Sequence, residues 1–506
     1  MKNKIAAALC AVLSVSAVLG CSVMASENSE GKHINAALYW FGSTLDPATD
    51  YDGWTLCRIG AGETLVTINE NLEIEGQLAD EWEMVDENTW KFHIRDGVTF
   101  QNGNPVTGEA VKNSIQRALD AQERSYTSTY ISAIEADGQT VTFTTDQPNA
   151  SFLNAISEPL FIIVDTTADT DPATQPVGTG PFIVTDFTPD EEIQLVKYDD
   201  YWNGASDVDT LTVKNISDDS TRAMALQSGD MDIVQRISSA DLPLFTDNED
   251  YVVVDTAGIR TRTLYFNYEN EVLQDINVRK AFISALDFEA LATVLGNDVE
   301  VAGAPFPISI YGYDEVEIQS YDPEAAVSYL EAAGYTDSDG DGYVDKDGEK
   351  LTLGLTYDIS TMTSVNEAIQ NMEKQIGIDV QLNLVETVDE IEANGDFDLM
   401  QKNTQYLSTG DPSWMLSAIY QTGSNTNYYH YSNEELDEVI SKLTSCFDQD
   451  EKTSLVKEAQ EILLEDAAHV YLMSQSNIVA ANSKVSGITA YPIDYYFVTN
   501  TLTISE

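Results

Sequence analysis

Residues 32–41 alternate apolar and polar positions with β-branched and aromatic side chains, which predicts a strand, and residues 43–47 break it into a loop. Short strand-like runs fill 63–95, ending in an alternating stretch over 89–95 before the turn dipeptide Asp96-Gly97. The period then lengthens. Thr107 is a suitable N-cap, and Val111, Ile115 and Leu119 fall at i, i+4 and i+8 on one helix face. Asp322 caps a helix that Pro323 opens and Gly334 ends. Ser432 with Glu435 makes a capping box ahead of the stripe Leu436, Val439, Ile440, Leu443 and Phe447. Strands and helices are mixed throughout. No internal repeat or low-complexity linker interrupts them.

The N-terminus carries an address. Lys2 and Lys4 precede an apolar run over 5–19, the length of a signal-peptide core and short for a membrane span. Residues 1–25 are therefore expected to be a signal peptide and 26–30 a tether. Val18-Leu19-Gly20-Cys21 resembles a lipobox with Cys21 as the lipidated residue, while Val23-Met24-Ala25 suits an ordinary signal peptidase. The chain is expected to be exported, either held at the outer face of the cytoplasmic membrane through Cys21 or periplasmic. Cys10 lies within the apolar run, leaving Cys57 and Cys446, too few for a disulfide framework; a bridge and two separate thiols both stay open.

Composition narrows the function. The 506 residues are 43% hydrophobic, enough for more than one core. Lys and Arg total 25 against 85 Asp and Glu, a formal charge of -60 that repels nucleic acid and anionic lipid. Zinc-protease, dithiol, nucleophile-elbow and phosphate-loop motifs are absent. Ser454-Leu455-Val456-Lys457 fits an acyl-transfer pattern in isolation, within an ordinary amphipathic helix. Asp337, Asp339, Asp341 and Asp345, with Gly342 in sixth place, resemble the start of a calcium loop, although Gly348 occupies the twelfth place, where a bidentate Glu belongs.

Several segments together resemble the family 5 extracellular solute-binding proteins of ABC importers. They are Gly62-Glu63-Thr64-Leu65-Val66, Leu78-Ala79-Asp80-Glu81-Trp82, the stretch over 90–103, Val177-Gly178-Thr179-Gly180-Pro181-Phe182, Tyr201-Trp202, Leu264-Tyr265-Phe266-Asn267, the stretch over 275–282, and Asp411-Pro412. The resemblance implies an α/β fold, two-lobed and periplasmic-binding-protein-like (type II, cluster C), with an extra subdomain in lobe I. On that pattern lobe I is 31–262 plus 478–506, its subdomain about 71–177, and lobe II 263–477. It also implies a non-enzymatic, monomeric protein that closes around a solute and hands it to permease subunits. A secreted hydrolase and a surface receptor on the same fold are the competing classes.

The same resemblance frames the solute. In peptide-binding members an Asp three residues before the Asp-Pro pairs with the peptide ammonium; here Ser408 stands there, so Asp411 or another carboxylate would have to substitute. Nickel-binding members hold a chelate, commonly with one histidine, which makes His430 the metal candidate, with His33 and His469 behind it. Aromatic walls suit a variable solute, and Trp40, Phe41, Tyr265, Tyr406, Trp414 and Tyr495 are the candidates. The ligand expected is a small peptide or, alternatively, a nickel chelate, with no cofactor required and calcium as an accessory.

Overall fold

The computed structural model describes residues 31–505 except 239, 297–298, 314–315 and 359–360. The signal segment, the tether and Cys21 lie outside the described residues.

An eleven-stranded sheet organises the chain. From one edge its order is Asp379–Val385, Thr352–Asp358, Leu399–Thr404, Tyr251–Phe266, His469–Asn482, Ile233–Gln235, His33–Leu38, Thr210–Asn215, Glu192–Lys197 and Phe182–Thr188, with Val299–Val301 also paired to His469–Asn482. Two strands are unusually long, Tyr251–Phe266 with 16 residues and His469–Asn482 with 14. They pair antiparallel from Tyr251↔Asn482 to Tyr265↔His469, with register shifts between Thr256 and Arg260 and between Arg262 and Thr263. One end of this pair borders Ile233–Gln235 and the other borders Leu399–Thr404. The sheet is thus two wings built on two continuous strands, and the first register shift falls between the wings. Gly258 sits in that shift because a Cβ there would strike the Gln475 carbonyl oxygen.

Ile34, Ala36 and Leu38 project from the predicted first strand, observed as His33–Leu38, into a core with Phe182 and Val213 that continues into the far wing through Met400, Leu416 and Val439. The other wing packs Leu264, Phe282, Leu291, Leu330, Leu353 and Ile369. A separate antiparallel sheet, in the order Ala79–Asp86, Thr89–Ile94, Thr140–Thr145, Ile131–Asp137, covers the helix Gly108–Ala121 through Phe92, Phe143, Val111 and Ile115. Alternation in Thr89–Ile94 turns Trp90, Phe92 and Ile94 inward, as the sequence pattern requires.

Most local chemistry matches the sequence. Thr107 caps Gly108–Ala121 through a bond from Ala110 N, and Asp322 caps Pro323–Ala333, which ends at Gly334 with φ 90°. Asp96-Gly97 and Asn102-Gly103 turn with positive φ at each glycine. One expectation changes. The cap of Glu434–Leu443 is Asn433, whose side chain accepts from Leu436 N, while Ser432 bonds Thr422 instead. Gly178 and Gly180 are glycine for close approach: a Cβ would collide with the carbonyl oxygens of Ala61 and Gly60. Arg279 ties loops together through the carbonyls of Ala467, Leu273 and Asp466. Cys57 and Cys446 are both free and buried.

Candidate functional site

A cavity of about 480 Å³ opens between the two wings at the level of the crossover strands. Its first wall comes from the loop after His33–Leu38 and the helix Gly53–Arg58, which supply Tyr39, Trp40, Tyr51 and Trp54, with Arg124 and Glu158 beside them. The opposite wall follows the strand Leu399–Thr404 and contributes Gln405, Tyr406, Ser408, Asp411 and Trp414. Arg260, from a crossover strand, lines it as well. Tyr51 and Trp54 meet edge to face at 5.2 Å, and Tyr406 and Trp414 lie 6.2 Å apart with their rings tilted by 47°, so aromatic surfaces flank the space on both sides.

The wings touch across this space. Asn154 Nδ2 donates to the Thr409 carbonyl at 2.8 Å, Ala150 N to the Thr444 carbonyl at 3.0 Å, and Lys452 Nζ to the Ala150 carbonyl at 3.2 Å. These bonds join the segment after the small sheet to the far wing.

The acids of the cavity are already neutralised. Glu158 holds Arg124 at 2.6 Å and accepts from Trp54 Nε1 at 3.3 Å. Asp411 meets Lys452 at 2.9 Å, with both side chains nearly buried, and caps Ser413 N at 2.8 Å. Burial pushes the Asp411 carboxyl up, but the Lys452 ammonium and the hydrogen bonds from Ser413 and Lys452 together outweigh it and hold the group below its usual range. Lys402 is paired with Glu392 at 2.5 Å behind the wall. Glu392 in turn accepts the Tyr429 hydroxyl.

The candidates named from the sequence divide. Trp40, Tyr406, Ser408, Asp411 and Trp414 line the cavity together. Phe41 is 3% exposed in the first core. Tyr265 is fully buried, stacked on Tyr429 at 3.9 Å behind the cavity. Tyr495 is buried one layer back, supporting Trp54 at 5.3 Å. His430 lies outside the cavity with its imidazole 3.7 Å from Glu269. His469 is a core residue whose Nδ1 accepts from Phe266 N; burial, helped by Arg279, holds it well below its usual range and therefore neutral. His33 sits on the first strand against Thr210. Among the described residues no histidine lines the cavity.

Asp337, Asp339 and Asp341 bring carboxylate oxygens within 4.8 Å of one another on an exposed turn. Asp345 is not among them, because it accepts bonds from the Ser338 hydroxyl and amide.

Sequence reasoning missed Tyr39, Tyr51, Trp54, Arg124, Glu158, Arg260 and Lys402. One signal existed: Arg260-Thr261-Arg262 places two guanidinium groups in a strand-like run between Ile259 and Leu264-Tyr265-Phe266, where a buried charge needs a partner.

Among the described residues no helix is long and apolar enough to cross a membrane. The nickel-binding protein NikA of Staphylococcus aureus is 26% identical over 497 residues, covering 97% of this chain and 98% of that protein. The probable D,D-dipeptide-binding periplasmic protein DdpA of Escherichia coli is 26% identical over 486 residues, covering 91% and 92%. The crystal structure of a nickel ABC transporter from Bacillus halodurans superposes with a TM-score of 0.80 at 34% identity, covering 93% of this chain and 99% of that one. Residues 73–427 match the family described as bacterial extracellular solute-binding proteins, family 5, middle. The chain belongs to that family of two-lobed, substrate-binding components of ABC transporters.

Proposed function

We propose that this protein captures a small solute in the cavity between its wings and presents it, without chemical change, to the permease of an importer. The lobes in this reading are 31–262 plus 478–506 and 263–477, with the small sheet inside about 71–177; the register shift between Thr256 and Arg260 supports a hinge there. Monomeric action, with Cys21 as a lipid anchor or cleavage into the periplasm, belongs to the same reading.

The observation that carries the solute class is the state of the cavity acids. Glu158 and Asp411 are both held by internal cations, and Ser408 offers a hydroxyl where a peptide ammonium would need a free carboxylate. A short peptide therefore has to be held by its backbone and C-terminus. A nickel chelate fits this wall through its organic part, and the lack of a lining histidine means that the chelator supplies the metal ligands. The similarity to nickel-binding proteins supports that second reading, and the similarity to a dipeptide-binding protein supports the first. Calcium at Asp337, Asp339 and Asp341 is a further part of the proposal; it would stiffen an exposed turn and not touch the solute.

Thermal denaturation of the mature chain separates the readings. Di- to pentapeptides, or nickel with L-histidine, should raise the midpoint in proportion to the logarithm of their concentration. A midpoint unmoved by either set refutes both solute classes.

A further inference from the structure

The small antiparallel sheet is separate from the eleven-stranded one, yet the segment that follows it reaches the far wing. Two short pieces of chain meet there. On the near side, the strand Thr140–Thr145 runs out into residues 149–156. Asn149, 7% exposed, fixes this piece: its Nδ2 donates to the Ser128 carbonyl at 3.0 Å and its Oδ1 accepts from Ser151 N at 3.0 Å. Phe152 follows, fully buried and stacked on Trp90 of the small sheet at 5.6 Å. On the far side, residues 444–448 turn between the helices Glu434–Leu443 and Gln449–Glu465. Phe447, which the apolar stripe in the sequence assigned to the first of these helices, lies beyond its end.

The two pieces fit one another. Ala150 N donates to the Thr444 carbonyl at 3.0 Å, and the Ala150 carbonyl accepts from Lys452 Nζ at 3.2 Å, so one residue is bonded through both of its main-chain groups. Lys452 can make that bond because Asp411, 2.9 Å away, holds its ammonium where both side chains are nearly buried. Phe447 lies 6.5 Å from Trp90, with the rings tilted by 46°, and packs on the core of the small sheet. Asn154 Nδ2 completes the seam on the Thr409 carbonyl at 2.8 Å. Every hydrogen bond of the seam ends on a main-chain carbonyl, so each depends on where the backbone of the opposite piece lies. Ala150, Asn154, Phe447 and Lys452 are all outside the cavity lining.

We propose that the small sheet is a clasp: through Ala150, Asn154 and Trp90 it grips the far wing and sets how readily the cavity walls come together, whatever solute lies between them. The clasp rests on the solute-capture reading above and deepens it. Hydrogen bonds of this kind are individually modest and part when the wing moves, whereas the continuous strands Tyr251–Phe266 and His469–Asn482 join the wings covalently. Because the clasping side chains lie outside the lining, their contribution is common to all solutes. The lining then reads solute chemistry, and the clasp scales the tightness of whatever the lining accepts. Asn154, Phe447 and Lys452 are positioning residues, which act on the solute through the wing they hold.

The test is the mature chain carrying Asn154→Ala together with Phe447→Leu. Without solute, hydrogen exchange at the Ala150 amide and the radius of gyration from X-ray scattering should both rise above those of the wild type. With solute, isothermal titration compares dialanine with trialanine, and nickel plus L-histidine with nickel plus citrate. In whichever pair binds, both members should weaken by one common factor of roughly two- to tenfold. Exchange and radius equal to those of the wild type, an unchanged affinity, or losses that differ between the two members of a pair overturn the clasp. Where the double variant fails to fold, Asn154→Ala alone carries the same comparisons. Absence of binding by all four solutes refutes the solute classes proposed above, while exchange and scattering still decide the clasp without them.

Discussion

Glu63 offers a quantitative test of how the first wing is held together. Its carboxylate is 2% exposed and accepts the Thr179 hydroxyl at 2.7 Å, the Tyr201 hydroxyl at 2.7 Å and Trp202 Nε1 at 3.0 Å. Burial pushes its pKa up to about 7, with the three donors and Arg95 offsetting part of the rise. The unfolded chain ionises at the ordinary Glu value, about 4.3, so it releases the proton first as pH rises. The stability linked to this group is present below that value and is lost progressively up to the folded value. One pKa unit corresponds to about 1.4 kcal/mol, so the loss across the window amounts to about 4 kcal/mol. Glu63→Gln is the clean perturbation: its amide oxygen can still accept from Tyr201 and Trp202, while the Thr179 hydroxyl rotates to accept from the amide nitrogen. The substitution should cost stability at acid pH and recover it relative to wild type as pH rises to neutrality. Thermal midpoints of both proteins at half-unit steps from pH 4.5 to 8 make the comparison, with the other carboxylates cancelling in the difference. A constant difference across that range would refute the argument that Glu63 titrates within the fold at this pH.

Other expectations follow from single contacts. Glu373 is fully buried with neither carboxylate oxygen bonded among the described residues, and burial raises it well above its usual range; Glu373→Leu should stabilise the second wing, increasingly as pH rises above the ordinary Glu value, and lower midpoints at every pH would contradict this. Lys452→Met strands the Asp411 carboxylate and removes the bond to Ala150; a loss of about 3 kcal/mol or more in denaturant unfolding is expected, and an unchanged midpoint would show that the pair contributes nothing. Ser408→Asp places a free carboxylate on the cavity wall, so peptide affinity should rise and chelate affinity fall; the reverse pattern by titration would sink the reading of the cavity acids. Calcium should raise the wild-type midpoint but not that of Asp339→Asn, and equal shifts in both would remove the calcium loop from the account.

Much of the architecture could be read in advance because it is written locally. Caps at Thr107 and Asp322, the alternation of Thr89–Ile94 and the turn glycines Gly97 and Gly103 each need only neighbours in sequence to specify them. The glycines of Gly178-Thr179-Gly180 were visible, but their reason was not, since the crowding comes from Gly60 and Ala61 far along the chain. The cavity shows the same limit. Trp40, Tyr406, Ser408 and Trp414 stood out as aromatics or as positions beside Asp411-Pro412, whereas His430 looked equally apt yet points to the surface. Arg58, Arg236, Arg260 and Asp494 are spread from the first helix to the C-terminal segment, and no spacing rule links them. Their ion pairs arise only when the sheet gathers them at one point.

The most direct measurement is a crystal structure of the mature protein grown with whichever candidate solute binds best. The expected result is solute density between the Trp40 and Trp54 wall and the Tyr406 and Trp414 wall. A solute bound elsewhere on the surface, with that cavity empty, would contradict the account.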